Sequence, residues 1–407
     1  MLINHNPKSY SKKYTLLFII IILFSFSLIF PSLKNVKYFP EADEGYYLKY
    51  ATYISTNGIG NFHELFKDYI ENKNNWLYPS PLRIGYILLS AASMKIFGNT
   101  FLSLSLLSLV SYLAFLIVSF YFTRKYFDEK IAFLLTILLA FSPLNMAMAR
   151  RALQDSTANL FYILSIWLFF DLLSKRSNLK YVLFVLIFSF TILVKEPALL
   201  LSPVFIIYIL IHKYLLKNPI HIKDILAITV YPFAIVGLVY MSCAGDFSYV
   251  LNTVKTILIS QKTNQFSILY GSGPWFRYLI DFMLLSPLVC ILSIGFIFYC
   301  LTLKELDSRI SYFLVIFVLV LFFFNLFDKS IRHVIILDMP MRLFAIFMLK
   351  NIFETKIPKY SAIITAAIVI IISVFDYINF NYLFIHQRIY DPVSFWLLRA
   401  EHFIPWR

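Results

Sequence analysis

Two carboxylates stand side by side in Glu41-Ala42-Asp43-Glu44-Gly45-Tyr46-Tyr47, and a third, Asp155, follows the basic pair Arg150-Arg151 by about one helical turn. A positioned carboxylate can take the proton of a hydroxyl as its oxygen attacks, an effect worth about 10²–10⁴-fold in rate. Basic side chains stabilise a departing phosphate, and the guanidinium fork matches two phosphate oxygens at once. Arg150, Arg151, Lys195 and Arg332 are the candidates for that task. The combination suits group transfer from a phosphate-linked donor to a hydroxyl.

Each of these residues also has an ordinary structural reading. Asp43 and Glu44 open a stretch in which Tyr46, Tyr47, Tyr50, Ala51 and Ile54 recur at helical spacing. Acidic residues at a helix start gain about 0.3–1 kcal/mol from its dipole. Side chains adjacent on a helix point about 100° apart, so one carboxylate is expected to face the reacting centre and the other to brace the loop. Asp155 can equally serve as a helix cap, and Arg150 and Arg151 as interfacial anchors. Lys195-Glu196 reads as a self-satisfied surface pair or as a source of a phosphate ligand. His333 reads as a packing residue and His63 as a solvated loop residue. Asp338 and Arg342, four residues apart in an apolar run, are expected to pair.

The elements that must position these side chains are membrane helices. The 407 residues are 60% hydrophobic and only 14% charged, against about 25% charged in a soluble domain. Apolar runs of about 20 residues recur from end to end, and the alternating segments of a β-barrel are not visible. The expected fold is an all-α polytopic membrane protein of about eleven spans, near 14–33, 100–123, 131–149, 157–173, 181–194, 197–212, 224–242, 278–303, 310–327, 333–350 and 360–378. Pro197 suits the first position of its helix. The 43 Phe and 28 Tyr suit lipid contact and interfacial belts. The net charge of +14 resides in short loops, where it sets orientation, so membrane lipid and not nucleic acid is the expected partner. Lys8, Lys12 and Lys13 precede the first span with no cleavage site after it, which reads as a cytoplasmic start. Cys243, Cys290 and Cys300 suggest neither a disulfide framework nor a metal spacing.

One segment decides the topology. Residues 82–97 are apolar, yet sixteen residues cover only about 24 Å of a hydrocarbon core of roughly 30 Å. If the segment does not cross, the cytoplasmic loops carry Lys and Arg at more than twice the density of the outer ones, as the positive-inside rule requires. If it crosses, that bias reverses. The segment is therefore expected to be a juxtamembrane or re-entrant helix, capped by Ser80 with Pro81 in its first position. Asp43-Glu44 and Asp155 then share the non-cytoplasmic side. The expected organisation is a membrane domain over 1–378, with its first outer loop at 34–99, and a short tail over 379–407.

In this layout the chain resembles the GT-C membrane glycosyltransferases, especially the group that includes protein O-mannosyltransferases and lipid A aminoarabinose transferases. The matching pieces run in order from about residue 14 to 350. They are Ala42-Asp43-Glu44 with Tyr46 and Tyr47, Tyr78-Pro79-Ser80-Pro81-Leu82, Phe97-Gly98 and Arg124-Lys125-Tyr126-Phe127. Ser142-Pro143, Arg150-Arg151, Leu153-Gln154-Asp155, Val194-Lys195-Glu196-Pro197, Gly273-Pro274-Trp275 and Arg332-His333 complete the series. The resemblance implies a GT-C-like bundle in the cell membrane of a prokaryote. It implies inverting transfer of a sugar from a polyprenyl-phosphate donor to a lipid, glycan or protein acceptor at the outer face. Asp43 would be the catalytic carboxylate, Glu44 its support and Asp155 a second acidic contributor. Lys195 and Arg332 would meet the donor phosphate, with Tyr46, Arg150 and Arg151 also toward substrate. His333 departs from the Tyr more usual at its position. Some such enzymes use a divalent metal, and no ligand set in the sequence decides that here. The alternative is a polytopic transporter or lipid flippase, which would need ionisable residues at the bilayer midplane and paired broken helices. Only Asp338 and Arg342 qualify, and no internal repeat is evident.

Overall fold

The structure, a computed structural model, describes residues 11–216, 219–263, 268, 271, 273–327, 329–389, 391 and 393. The described residues form helices and connecting turns, with no strand among them. In chain order the α-helices are α1 (Lys12–Ile29), α2 (Asp43–Asn57), α3 (Phe62–Glu71), α4 (Ile84–Phe97), α5 (Phe101–Tyr126), α6 (Glu129–Ala140), α7 (Pro143–Ala149), α8 (Asp155–Ser174) and α9 (Asn178–Val194). They continue as α10 (Leu201–Leu216), α11 (Ile222–Ile228), α12 (Val230–Ala244), α13 (Phe247–Thr263), α14 (Arg277–Leu285), α15 (Pro287–Thr302), α16 (Ser308–Phe324), α17 (Asp338–Lys356) and α18 (Ser361–Phe380).

Every predicted span overlaps a helix or a consecutive pair. Six helical stretches are long and apolar enough to cross a bilayer: Lys12–Asn35, Phe101–Tyr126, Asp155–Ser174, Glu196–Tyr214, Ile222–Ala244 and Pro358–His386. α6 and α7 make a seventh if counted together, but they are bent by 61°. The span expected as one helix over 131–149 is therefore two. Pro143 cannot continue the α6 hydrogen-bond ladder and disfavours helical geometry at Ser142, whose hydroxyl instead accepts from Asn145 N–H. Residues 381–386 extend α18 as a wider helical turn, so part of the expected tail is helix; residues 394–407 lie outside the described residues.

The main core is a contiguous apolar cluster drawn from nearly all the long helices. α5 packs on α8, α8 on α9, and α15 on α17. A second, smaller cluster joins α2, α3, α4 and α13 through Tyr50, Phe62, Phe66, Ile87 and Val250. This sub-layer packs the segment between α1 and α5 against α13.

α4 has 14 residues, about 21 Å of helix, and packs against α2, α5 and α9. Its start differs from expectation. Ser80 does not cap it, because its hydroxyl donates to Glu196 Oε1 at 2.7 Å, and the helix begins only at Ile84 with Arg83 as its cap residue. Gly85 lets α4 lie close to the end of α9: a Cβ there would come within 3.0 Å of the Leu193 backbone.

Candidate active site

The acidic turn is built by a reversal of the chain. Residues 39–42 fold back onto the start of α2, so that a Cβ on residue 45 would lie 1.7 Å from the Pro40 carbonyl oxygen. Only glycine fits there. Asp43 and Glu44 occupy the first turn of α2, where the helix dipole favours them. They point in different directions, as helix geometry dictates.

Glu44 is buried. Its carboxylate accepts from Phe39 N–H at 3.0 Å, Arg151 Nε at 2.5 Å and Ala152 N–H at 3.2 Å, which ties α2 to the α7–α8 connection. Asp43 keeps its side chain 36% exposed and faces Arg332 Nη1 at 3.4 Å. The same Arg332 nitrogen lies 3.7 Å from Asp155 Oδ2. The residue-43 and residue-155 turns thus meet on one guanidinium. α4, with 14 residues, is among the shorter apolar helices of the bundle.

Asp155 is the first residue of α8 and is buried. Its Oδ1 accepts from Lys195 Nζ at 2.7 Å. Lys195 follows the last residue of α9 and caps a short 3-10 turn, Glu196–Leu200, in which Pro197 stands second and not first as expected. Lys195-Glu196 is not the self-satisfied surface pair that its sequence permits. Lys195 is 2% exposed and turned to Asp155, whereas Glu196 accepts from Arg83 Nε at 2.8 Å. Burial pulls the Lys195 ammonium below the ordinary lysine range, with Asp155 opposing it. Burial also works against the Arg332 charge, but Asp155 and Asp43 outweigh it and hold the guanidinium above its ordinary value.

Arg83 is the central residue that sequence reasoning missed. Besides Glu196 it donates to the Tyr47 hydroxyl and, at 3.0 Å, to Gln154 Oε1. It thereby joins α2, the residues before α8 and the start of α10's turn behind the carboxylate cluster. A guanidinium placed tightly against an apolar helix needs partners, and that was the available signal.

The other predicted residues lie further out. Tyr46 stacks on Tyr78 with ring centroids 3.8 Å apart and donates to Asn75 Oδ1 at 3.3 Å. Arg150 donates to the Ser32 carbonyl at 3.2 Å and covers the Phe380 ring; Arg151 lies over Phe39. Neither arginine joins Lys195 and Arg332. Arg342 pairs with Asp338 at 2.9 Å as expected, and also with Asp376 of α18 at 2.7 Å. Asn145 donates to Asp338 Oδ2 at 2.7 Å, and Ser286 donates to Asp376, closing the network inside the bundle.

Among the described residues no group of three His, Cys, Asp or Glu gathers to hold a metal. Asp43 and Asp155 are bridged by Arg332, a cation already at the position where a shared divalent ion would have to sit. This donor set does not fit a metal.

A family model described as dolichyl-phosphate-mannose-protein mannosyltransferase matches residues 81–238. A search of curated proteins finds no match. Among solved structures, the oligosaccharyltransferase of Archaeoglobus fulgidus, tethered to an acceptor peptide, superposes with a TM-score of 0.59 at 12% identity. The alignment covers 92% of this chain and 55% of that one. ArnT from Cupriavidus metallidurans, bound to undecaprenyl phosphate, superposes with a TM-score of 0.53 at 16% identity, covering 88% of this chain and 64% of that one. The chain therefore spans between about half and two thirds of the length of these proteins. At such identities the likeness is one of fold.

Proposed function

We propose that this chain, a membrane protein of the GT-C fold, is a glycosyltransferase that moves a sugar from a polyprenyl-phosphate carrier to an acceptor hydroxyl at the non-cytoplasmic face. The observation that carries the reading is the shared guanidinium of Arg332, which brings a partly exposed Asp43 and a buried Asp155 to one point beside Lys195. In this reading Asp43 accepts the proton of the acceptor hydroxyl. The freed oxygen attacks the anomeric carbon, and the bond from that carbon to the phosphate oxygen breaks. The bonding electrons leave with the carrier phosphate, and attack opposite the leaving group inverts the configuration. Arg332 and Lys195 stabilise the phosphate as its negative charge grows. Asp155 holds both cations in place, and Glu44 and Arg83 fix the turns that present them. Tyr46 and Tyr78 offer a stacked aromatic surface beside the turn, suited to a sugar face or an acceptor. No step passes through a metal.

The carrier tail would lie against the apolar helix surfaces below, and the acceptor would be a lipid, glycan or protein. The setting in the cell membrane of a prokaryote belongs to the same reading. The test is reconstitution of the full chain in vesicles with a polyprenyl-phosphate sugar labelled in the sugar. Release of unglycosylated carrier phosphate with label in an acceptor is expected. Movement of intact donor between leaflets, with no cleavage, would instead identify a flippase.

A further inference from the structure

α13 carries its residues in the reverse of the usual order. It packs against α3, α12 and the Lys73–Leu77 turn, yet the residues it buries are Val250, Thr253, Thr256 and Ser260, none of them large. Thr253 and Ser260 donate to the carbonyls of Tyr249 and Trp76 at 2.8 and 2.6 Å, so the buried hydroxyls find partners. The large apolar side chains point the other way. Phe247, Leu251, Val254 and Leu258 recur at spacings of four, three and four, and each is at least 40% exposed. That spacing lines them up in one stripe along the helix. A helix between protein and water turns such a stripe inward. An outward stripe calls for an apolar medium outside.

Position along the chain identifies that medium. The stretch Ile222–Ala244 is long and apolar enough to cross a bilayer, and only Gly245 and Asp246 separate its end from Phe247. Three Cα steps reach at most about 11 Å, so α13 starts at the bilayer surface. There Asp246 Oδ1 accepts from Ser248 N–H at 2.9 Å and caps the helix. α13 does not return through the membrane. Its 17 residues include Asn252, Lys255, Gln261 and Lys262, and they cover about 25 Å of a hydrocarbon core of roughly 30 Å. Lys255 and Lys262 are exposed and lie within about 70° of the centre of the stripe. The helix has no Asp or Glu. Lysines so placed lay their stems over acyl chains and lift their ammonium groups to the phosphates. Ile259, exposed among the polar residues, departs from the pattern.

We infer that α13 is an in-plane membrane anchor whose stripe of Phe247, Leu251, Val254 and Leu258 beds in the acyl chains of a phospholipid surface, with Lys255 and Lys262 at the headgroup phosphates. It rests on the burial pattern and the chain position and not on the transferase reading. α3, packed on α13, turns the charged side chains of Glu64, Lys67 and Glu71 to water. The anchor also bears on the Tyr46–Tyr78 pair. Ser260 holds the Trp76 carbonyl, and Tyr78, two residues on, stacks on Tyr46. The seating of α13 in lipid therefore sets the height of that aromatic stack above the bilayer.

The test uses the full chain in phospholipid vesicles, in a Cys243→Ser background where Cys290 and Cys300 are buried. Leu251→Cys and Leu258→Cys on the stripe, and Asn252→Cys on the polar side, each receive a bimane label. All three positions are exposed, so the packed face of the helix stays intact. Quenching is then measured with brominated phosphatidylcholine and with aqueous iodide. The brominated lipid is expected to quench at positions 251 and 258 roughly threefold or more above position 252, with iodide in the reverse order. Iodide quenching at 251 and 258 equal to that at 252 would put the stripe in water. Protection of both from either quencher would put a protein surface, such as a second copy of the chain, over it. Either of these two results would overturn the inference.

Discussion

At the scale of the residue, the adjacent carboxylates divide their work. Glu44 is enclosed and triply hydrogen-bonded, and its loss would leave Arg151 charged and buried. Glu44→Gln is expected to cost about 3–5 kcal/mol of stability, the usual penalty for breaking a buried pair. A denaturation midpoint equal to wild type would contradict that role. Lys195 gives a pH signature. Its ammonium titrates below the ordinary lysine range because it is buried, so the protonated form that would meet a phosphate is lost as pH rises through that lowered value. Below it the charge is complete. The unfolded chain keeps this proton to higher pH than the folded one, so the same group makes the fold gain stability between the two values as pH increases. Transfer activity should fall on the alkaline side, and Lys195→Arg should move that fall to higher pH; an unmoved limb would remove Lys195 from the mechanism. Asp43, Asp155, Lys195 and Arg332 could be picked out from sequence because charges at span ends on one membrane face are few. Arg83 and Glu196 could not be paired that way, because they lie 113 positions apart and meet only through the docking of α4 on α9.

At the scale of the element, hydrophobic runs located the helices well, and local chemistry placed their ends less well. Ser80 has the look of a helix cap, but the half-buried carboxylate of Glu196, from the turn after α9, claimed its hydroxyl. Ser142-Pro143 was visible as a motif, and the bend it imposes turns α7 so that Arg150 and Arg151 emerge beside Glu44. The Asp338–Arg342 pair followed from helical spacing, whereas Asp376, one helix later, did not. This network joins α17 and α18, and through Asn145 it reaches α7. Arg342→Leu would strand Asp338 and Asp376 inside the bundle with no counter-charge. We expect a loss of about 3–5 kcal/mol, seen as a lowered thermal transition in detergent. Full retention of stability would mean that the carboxyls are neutral and the network structurally idle.

At the scale of the molecule, the proposed chemistry depends on which side of the bilayer each turn faces. The bundle places the residue-43 and residue-155 turns together, with the lysine- and arginine-rich loops at the other helix ends. Cysteine labelling checks this arrangement directly in a Cys243→Ser background. Gly60→Cys, in open space in the first outer loop, should react with an impermeant maleimide on intact cells. Lys359→Cys, exposed at the start of α18, should react only once the cells are opened. The reverse pattern would turn the molecule over and put the carboxylates in the cytoplasm. The central claim, that the outer carboxylate at Asp43 takes the acceptor proton, is tested most directly by sugar transfer in vesicles reconstituted with equal amounts of wild-type and Asp43→Asn protein. A loss of about 10²–10⁴-fold with the fold intact is predicted. Transfer by the Asp43→Asn protein at the wild-type rate would contradict it.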